Sequence, residues 1–303
     1  MPEPTAPITP VPLPPCRLGE SPLWHPGEQV LYWCDIPGHA LHRWDPQRQW
    51  HEHWGFDTDV ACCVPLLEGG LLLAMRDGLW RFDPASGQRR RLAEPPYDTA
   101  VERFNDGKAD ALGRLWVGTI YEPRDPPKAA LYRFAHGALE RVADGITVSN
   151  GLAWSPDGRT LYWADTKAHV VYALDFDAAA GTLARRRVFA RFEPRADGEP
   201  LERYGGRPDG AAVDAEGCYW VAMFEGARVL RLAPDGRVLR EVELPARCPT
   251  MPCFGGPDLK TLYITTARDK RPAAELAALP WSGCVLQMRV DVPGLPANFA
   301  RLS

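Results

Sequence analysis

The chain has 303 residues, 45% apolar and 24% charged, enough to bury a sizeable core and too apolar for a disordered protein. Its formal net charge of −4 argues against a nucleic-acid or membrane-surface partner, since both select a basic face. No apolar run approaches the roughly 18 residues that a membrane-spanning helix needs.

Proline (31) and glycine (27) are over-represented, and together with the apolar content they predict many short strands joined by turns. From the N-terminus, residues 1–15 read as an extended, poorly ordered proline-rich arm, with neither the positive start nor the apolar stretch of a secretory leader. Residues 16–303 read as one domain. Its eight cysteines (16, 34, 62, 63, 218, 248, 253 and 284) show no C-x-x-C spacing. Free buried thiols and a cytoplasmic location are therefore expected.

Along the domain one motif recurs: a short apolar strand, a polar turn with Gly or Asp, then a strand centred on an aromatic or aliphatic residue. In chain order the copies are LWHPGEQVLYWCDI (23–36), VPLLEGGLLLAM (64–75), ADALGRLWVGTI (109–120), LAWSPDGRTLYWADT (152–166), VDAEGCYWVAMF (213–224) and FGGPDLKTLYITTA (254–267). The second and last are weaker matches. The strand centres fall at 33, 73, 116, 163, 220 and 264, spaced by 40, 43, 47, 57 and 44 residues. Repeats of this length, each with several short strands and no helical period, predict an all-β, six-bladed β-propeller. LHRWDP, LWRFDPASG, ALYRFAHG, VVYALDFDAAAG and VLRLAPDG each follow a central strand and read as third blade strands.

In such a blade the first strand lines the central channel. Four positions before the aligned start of the motif stand Glu20, Asn105, Asn150 and Asp209 in the well-matched copies, and Cys62 and Thr250 in the weak ones. Four blades thus place an acid or an amide at one level around one axis. Singly, each residue could cap a strand. Together, two carboxylates and two amide carbonyls would repel one another unless a cation sat between them. All-oxygen ligation suits Ca²⁺, Mg²⁺ or Mn²⁺, and Zn²⁺ stays open.

The segments LGESPLWHP (18–26), RFNDGKADALGRLWVGT (103–119), SNGLAWSPDGRTLYWADT (149–166), GRPDGAAVDAEGCYW (206–220) and FGGPDLKTLYITTAR (254–268) resemble, in order, the SMP-30/gluconolactonase/luciferin-regenerating family, which includes regucalcin and bacterial sugar lactonases. The resemblance implies a six-bladed propeller holding one catalytic divalent metal, Ca²⁺ foremost, with Zn²⁺, Mn²⁺, Mg²⁺ or Fe²⁺ as alternatives. It implies Glu20, Asn150 and Asp209 as metal ligands, Asp209 as acid/base, and Arg103 and Asn105 as substrate contacts. Glu122, in GTIYEPRDPP, matches a further substrate-binding acid.

The activity so implied is hydrolysis of a sugar (aldono-) lactone, such as gluconolactone, xylonolactone or arabinonolactone; a closed propeller can stand alone, and a monomer or weak homodimer is expected. Two other readings remain: the same metal site acting on another ester or an organophosphate, or a non-enzymatic calcium-binding propeller. No G-x-S-x-G, H-E-x-x-H or G-x-x-x-x-G-K-[ST] motif is present. His51 and His53 put two imidazoles on one strand face and read as a surface strand rather than a metal pair. Cys248 and Cys253 read as structural, Arg89–Arg91 and Arg185–Arg187 as solvated faces, and most of the 11 tryptophans as blade packing.

Overall fold

The computed structural model describes residues 7–302. Those residues form six four-stranded antiparallel sheets around an axis, a β-propeller. The innermost strands are Gly19–His25, Val60–Pro65, Glu102–Ala109, Ser149–Trp154, Arg207–Val213 and Cys248–Gly255, numbered here as blades one to six. All six predicted strand centres (Trp33, Leu73, Trp116, Trp163, Trp220 and Ile264) lie in the second strands. The five predicted third strands are third strands too.

Blades one to five are each continuous in sequence. The sixth runs Cys248–Gly255, Thr261–Ala267 and Leu286–Arg289, and its outer strand is Thr9–Pro10. Thr9 pairs with Gln287 and Pro10 with Leu286, so the ring closes where the two ends of the chain meet. Proline lacks an N–H and belongs on such an edge strand. Residues 1–6 of the expected N-terminal arm lie outside the described residues, and Thr9–Pro10 of the arm are the outer strand of blade six.

The core is not one body but six apolar clusters, one in each gap between neighbouring blades. Trp33, Trp116, Trp163 and Trp220 are fully buried there. Their indole N–H groups are satisfied by Cys16 Sγ, Asp110, Ser149 Oγ and Asp214 respectively, as a buried indole requires. The arginine runs 89–91 and 185–187 lie in outermost strands, and all eight cysteines are free. No helix among the described residues is long and apolar enough to cross a membrane.

Candidate active site

The inner strands share an irregularity that sets up the site. In every one the pairing with the second strand slips at the same level: between Glu20 and Leu23, Val60 and Cys62, Phe104 and Gly107, Asn150 and Ala153, Pro208 and Ala211, and Pro249 and Met251. A bulge leaves residues unpaired and re-aims their side chains. Glu20, Cys62, Asn105, Asn150, Asp209 and Thr250 all stand at or within these slips, and all are buried. The residue after the acid or amide is left-handed in two blades, Ser21 (φ 49°) and Gly151 (φ 62°). Glycine takes this conformation freely. At 151 the space also demands it, because a Cβ would stand 2.2 Å from the Tyr219 hydroxyl.

Hydrogen bonds tie three blades into one chain of donors. Arg103 Nη1 donates to Asn105 Oδ1 (2.9 Å), Asn105 Nδ2 to Asn150 Oδ1 (2.7 Å), and Asn150 Nδ2 to Asp209 Oδ1 (2.5 Å). Asn150 Nδ2 also reaches Thr166 Oγ1 (2.8 Å), and Asn105 Nδ2 the carbonyl of Ser149 (2.9 Å). Among the described residues the Glu20 carboxylate accepts only from its neighbour's N–H, at 3.2 Å from Ser21. Asp106, next to Asn105 in the bulge, accepts from Leu152 N at 2.8 Å through Oδ2, while its buried Oδ1 has no hydrogen-bond partner among the described residues.

Three carboxyl groups are therefore enclosed together. Burial, with Asp209 and Asp106 nearby, pushes Glu20 well above the ordinary carboxylate range. Burial likewise pushes Asp209 up to about 8, against the opposing charges of Arg207 and Arg124. Asp106 is raised for the same first reason. Enclosed carboxyls with unfilled oxygen lone pairs, beside an amide oxygen, fit a hard divalent cation, whose charge would hold the acids ionised. Glu20, Asn150 and Asp209 could supply its ligands.

Arg103 is buried beside this group. Its Nε faces Glu122 Oε1 at 3.7 Å and Asp59 Oδ2 at 4.0 Å. Arg76 grips Glu122 with two hydrogen bonds of 2.9 and 3.0 Å, and Asp59 with another of 2.9 Å. Those bonds to Arg76 hold the Glu122 carboxyl below its ordinary range. All the predicted site residues thus converge: Glu20, Asn105, Asn150 and Asp209 at the bulge level, with Arg103 bonded to Asn105 and Glu122 beside Arg103. Asp59, Arg76, Asp106 and Thr166 were not predicted. Only Asp106 had a signal, its place beside Asn105. Further along the inner strands lies a cavity of about 150 Å³, lined by Leu23, Lys108, Met251 and Phe254 together with Leu295 and Asn298.

Residues 18–268 match the family model described as the SMP-30/Gluconolactonase/LRE-like region, and the chain belongs to that family. Among its relatives, the 6-deoxy-6-sulfogluconolactonase of Pseudomonas putida is 47% identical over 283 residues, covering 92% of this chain and 94% of its own. Pentonolactonase XacC of Haloferax volcanii is 36% identical over 256 residues, covering 83% and 82%. A crystal structure described as a calcium-binding protein, regucalcin, from Agrobacterium tumefaciens superposes with a TM-score of 0.90 at 27% identity, covering 98% of each chain.

Proposed function

We propose that the protein is a divalent-metal-dependent lactonase that opens a sugar lactone to the aldonic acid. The observation that carries this reading is the convergence of Glu20, Asn150 and Asp209 from three bulged inner strands, with Arg103 and Asn105 bonded into the same group. Relatives named as lactonases support it.

A divalent cation held by Glu20, Asn150 and Asp209 would polarise the lactone carbonyl and acidify a water beside it. Asp209 takes the proton from the attacking water as the new C–O bond forms at the carbonyl carbon. It returns that proton to the ring oxygen as the ring C–O bond breaks, so one carboxyl serves as base and then acid. Asn105 and Arg103 orient the substrate and offer N–H donors to the oxygen that gains charge. Glu122, ionised and fixed by Arg76, accepts from a sugar hydroxyl.

Gluconolactone, xylonolactone and arabinonolactone are the natural neutral substrates to compare. A 6-sulfonated gluconolactone belongs with them, because a relative 47% identical carries that specificity in its name and because Arg124 and Arg207 lie close enough to act on Asp209. The test is acid release from this panel by chelator-stripped protein, with Ca²⁺, Mg²⁺, Mn²⁺, Fe²⁺ and Zn²⁺ restored singly and spontaneous opening subtracted. Metal-restored turnover on one or two lactones is expected. Stoichiometric metal binding without lactone turnover would overturn the reading, and would redirect attention to other esters, organophosphates or calcium binding alone.

A further inference from the structure

A second constellation of metal-ligating side chains lies on blade one, made of different atoms from those in the channel. Cys16 precedes the inner strand, Asp35 ends the second strand (Val30–Asp35), and His42 sits in the third (Ala40–Asp45). Cys16 Sγ and His42 Nε2 are 3.9 Å apart, and one ligand atom from each of the three residues lies within 4.8 Å of the other two. Cys16 and Asp35 are buried, while His42 is partly exposed and gives the cluster an approach from solvent.

The surroundings hold the three groups in place. Burial, with the Asp35 carboxylate nearby, pushes the metal-free Cys16 thiol up to about 12, and the 3.2 Å bond that Trp33 Nε1 donates to its Sγ acts the other way, toward the thiolate. His42 Nδ1 is 3.0 Å from His51 Nε2, so the ring nitrogen other than the one near Cys16 has a partner that orients it, as metal-bound histidines commonly do. His51 and His53 stack on His42 with centroids 5.3 and 5.7 Å away, fixing the plane of its ring. Asp35 Oδ1 accepts from the N–H groups of Leu18 and Gly38, and Oδ2 accepts from the backbone N–H of Arg17.

Blade architecture explains the aspartate and leaves the other two unexplained. In blade four the matching Asp165 accepts the N–H groups of Thr147, Val148 and Lys167 in the same way. There the residue opposite the buried tryptophan is Tyr172, where blade one has His42, and Trp163 Nε1 meets a hydroxyl rather than a thiol. A propeller blade therefore needs neither Cys16 nor His42.

We infer that Cys16, Asp35 and His42 form a second metal site, a thiolate–imidazole–carboxylate set suited to Zn²⁺ and its borderline relatives Co²⁺ and Ni²⁺, with a fourth position open to water. On binding, the ion replaces the thiol proton, which passes to solvent, and a metal–sulfur bond forms. Cys16 lies on the connection from Thr9–Pro10 in blade six to Gly19 in blade one, so the ion staples the closure of the ring.

The test uses the reduced, chelator-stripped full-length protein titrated with Co²⁺. The oxygen donors of the channel give no sulfur-to-metal charge-transfer absorption, whereas Cys16 does. A near-ultraviolet charge-transfer band saturating at one equivalent per chain is expected, absent in Cys16→Ser. Zn²⁺ should raise the unfolding temperature of the wild type and not of that variant. His51→Phe, which keeps the stacking and removes the hydrogen bond, should weaken Co²⁺ binding about 10–100-fold. It serves equally if Cys16→Ser fails to fold. A missing band with Cys16 shown by thiol titration to be reduced, a band that survives in Cys16→Ser, or unchanged affinity in His51→Phe would overturn the assignment.

Discussion

Replacing Asp209 by asparagine keeps the shape of a buried side chain and removes only its capacity to carry a proton and a negative charge. Its partner Asn150 Nδ2, 2.5 Å away, can still donate to an amide oxygen, so the local frame survives. Burial already opposes the charge on Asp209, which is pushed up to about 8, so the neutral amide relieves a cost and the metal-free variant should unfold no earlier than the wild type. Positioned acid–base catalysis contributes about 10²–10⁴ in rate, equivalent to about 3–5 kcal/mol of barrier. Turnover measured by pH-stat on the best lactone should fall by at least that factor. Elemental analysis of the same sample keeps loss of metal apart from loss of the base. A folded, metal-loaded Asp209→Asn enzyme within tenfold of wild type would refute the acid/base assignment.

Other consequences are as specific. Gly151→Ala forces a left-handed alanine, at about 1–2 kcal/mol, and drives a Cβ to 2.2 Å from the Tyr219 hydroxyl; calorimetry should show a lower unfolding temperature together with weaker metal binding. Arg76→Met frees Glu122 and leaves it to Arg103, so KM should rise about tenfold with kcat nearly kept, and equal falls in kcat and kcat/KM would contradict the orienting role of Glu122. Deleting residues 1–12 removes the outer strand of blade six and Val11, which is 2% exposed; guanidinium unfolding should register a loss of at least about 1.5–3 kcal/mol.

Acidity gives a further check. Burial raises the folded pKa of both Glu20 and Asp209, so in the metal-free protein their contribution favours folding at low pH and is lost as pH rises, that of Asp209 as pH climbs toward about 8. Metal must displace those protons. Its affinity should therefore rise between pH 6 and 8, with proton release visible by calorimetry in buffers of different ionisation enthalpy; a pH-independent affinity would argue for a different ligand set.

The blade repeat was legible because the second strand of each blade carries one large residue between turn signals, and burying it between sheets imposes that choice every 40 to 57 residues. Site residues were legible for a related reason. A bulge at one level of every inner strand puts acids and amides where a channel can use them, and a fixed offset from the repeat finds them. What escaped has no local pattern. Thr9–Pro10 is a two-residue strand in a proline-rich stretch, and its partners lie at the far end of the chain. Asp59 and Arg76 join the site through the ion pairs they make with Arg103 and Glu122 of blade three, which no spacing encodes. The imidazole pair at 51 and 53 does lie on an outer strand, as read, while His42, which completes the stack, belongs to the neighbouring one.

The most direct test of a metal-dependent channel site is an anomalous difference map from crystals of the protein loaded with Mn²⁺. A peak within ligand distance of oxygens of Glu20, Asn150 and Asp209 is the predicted result. An empty channel in crystals of protein that turns over lactone only with Mn²⁺ would contradict it, and would move the metal, and the chemistry, elsewhere on the molecule.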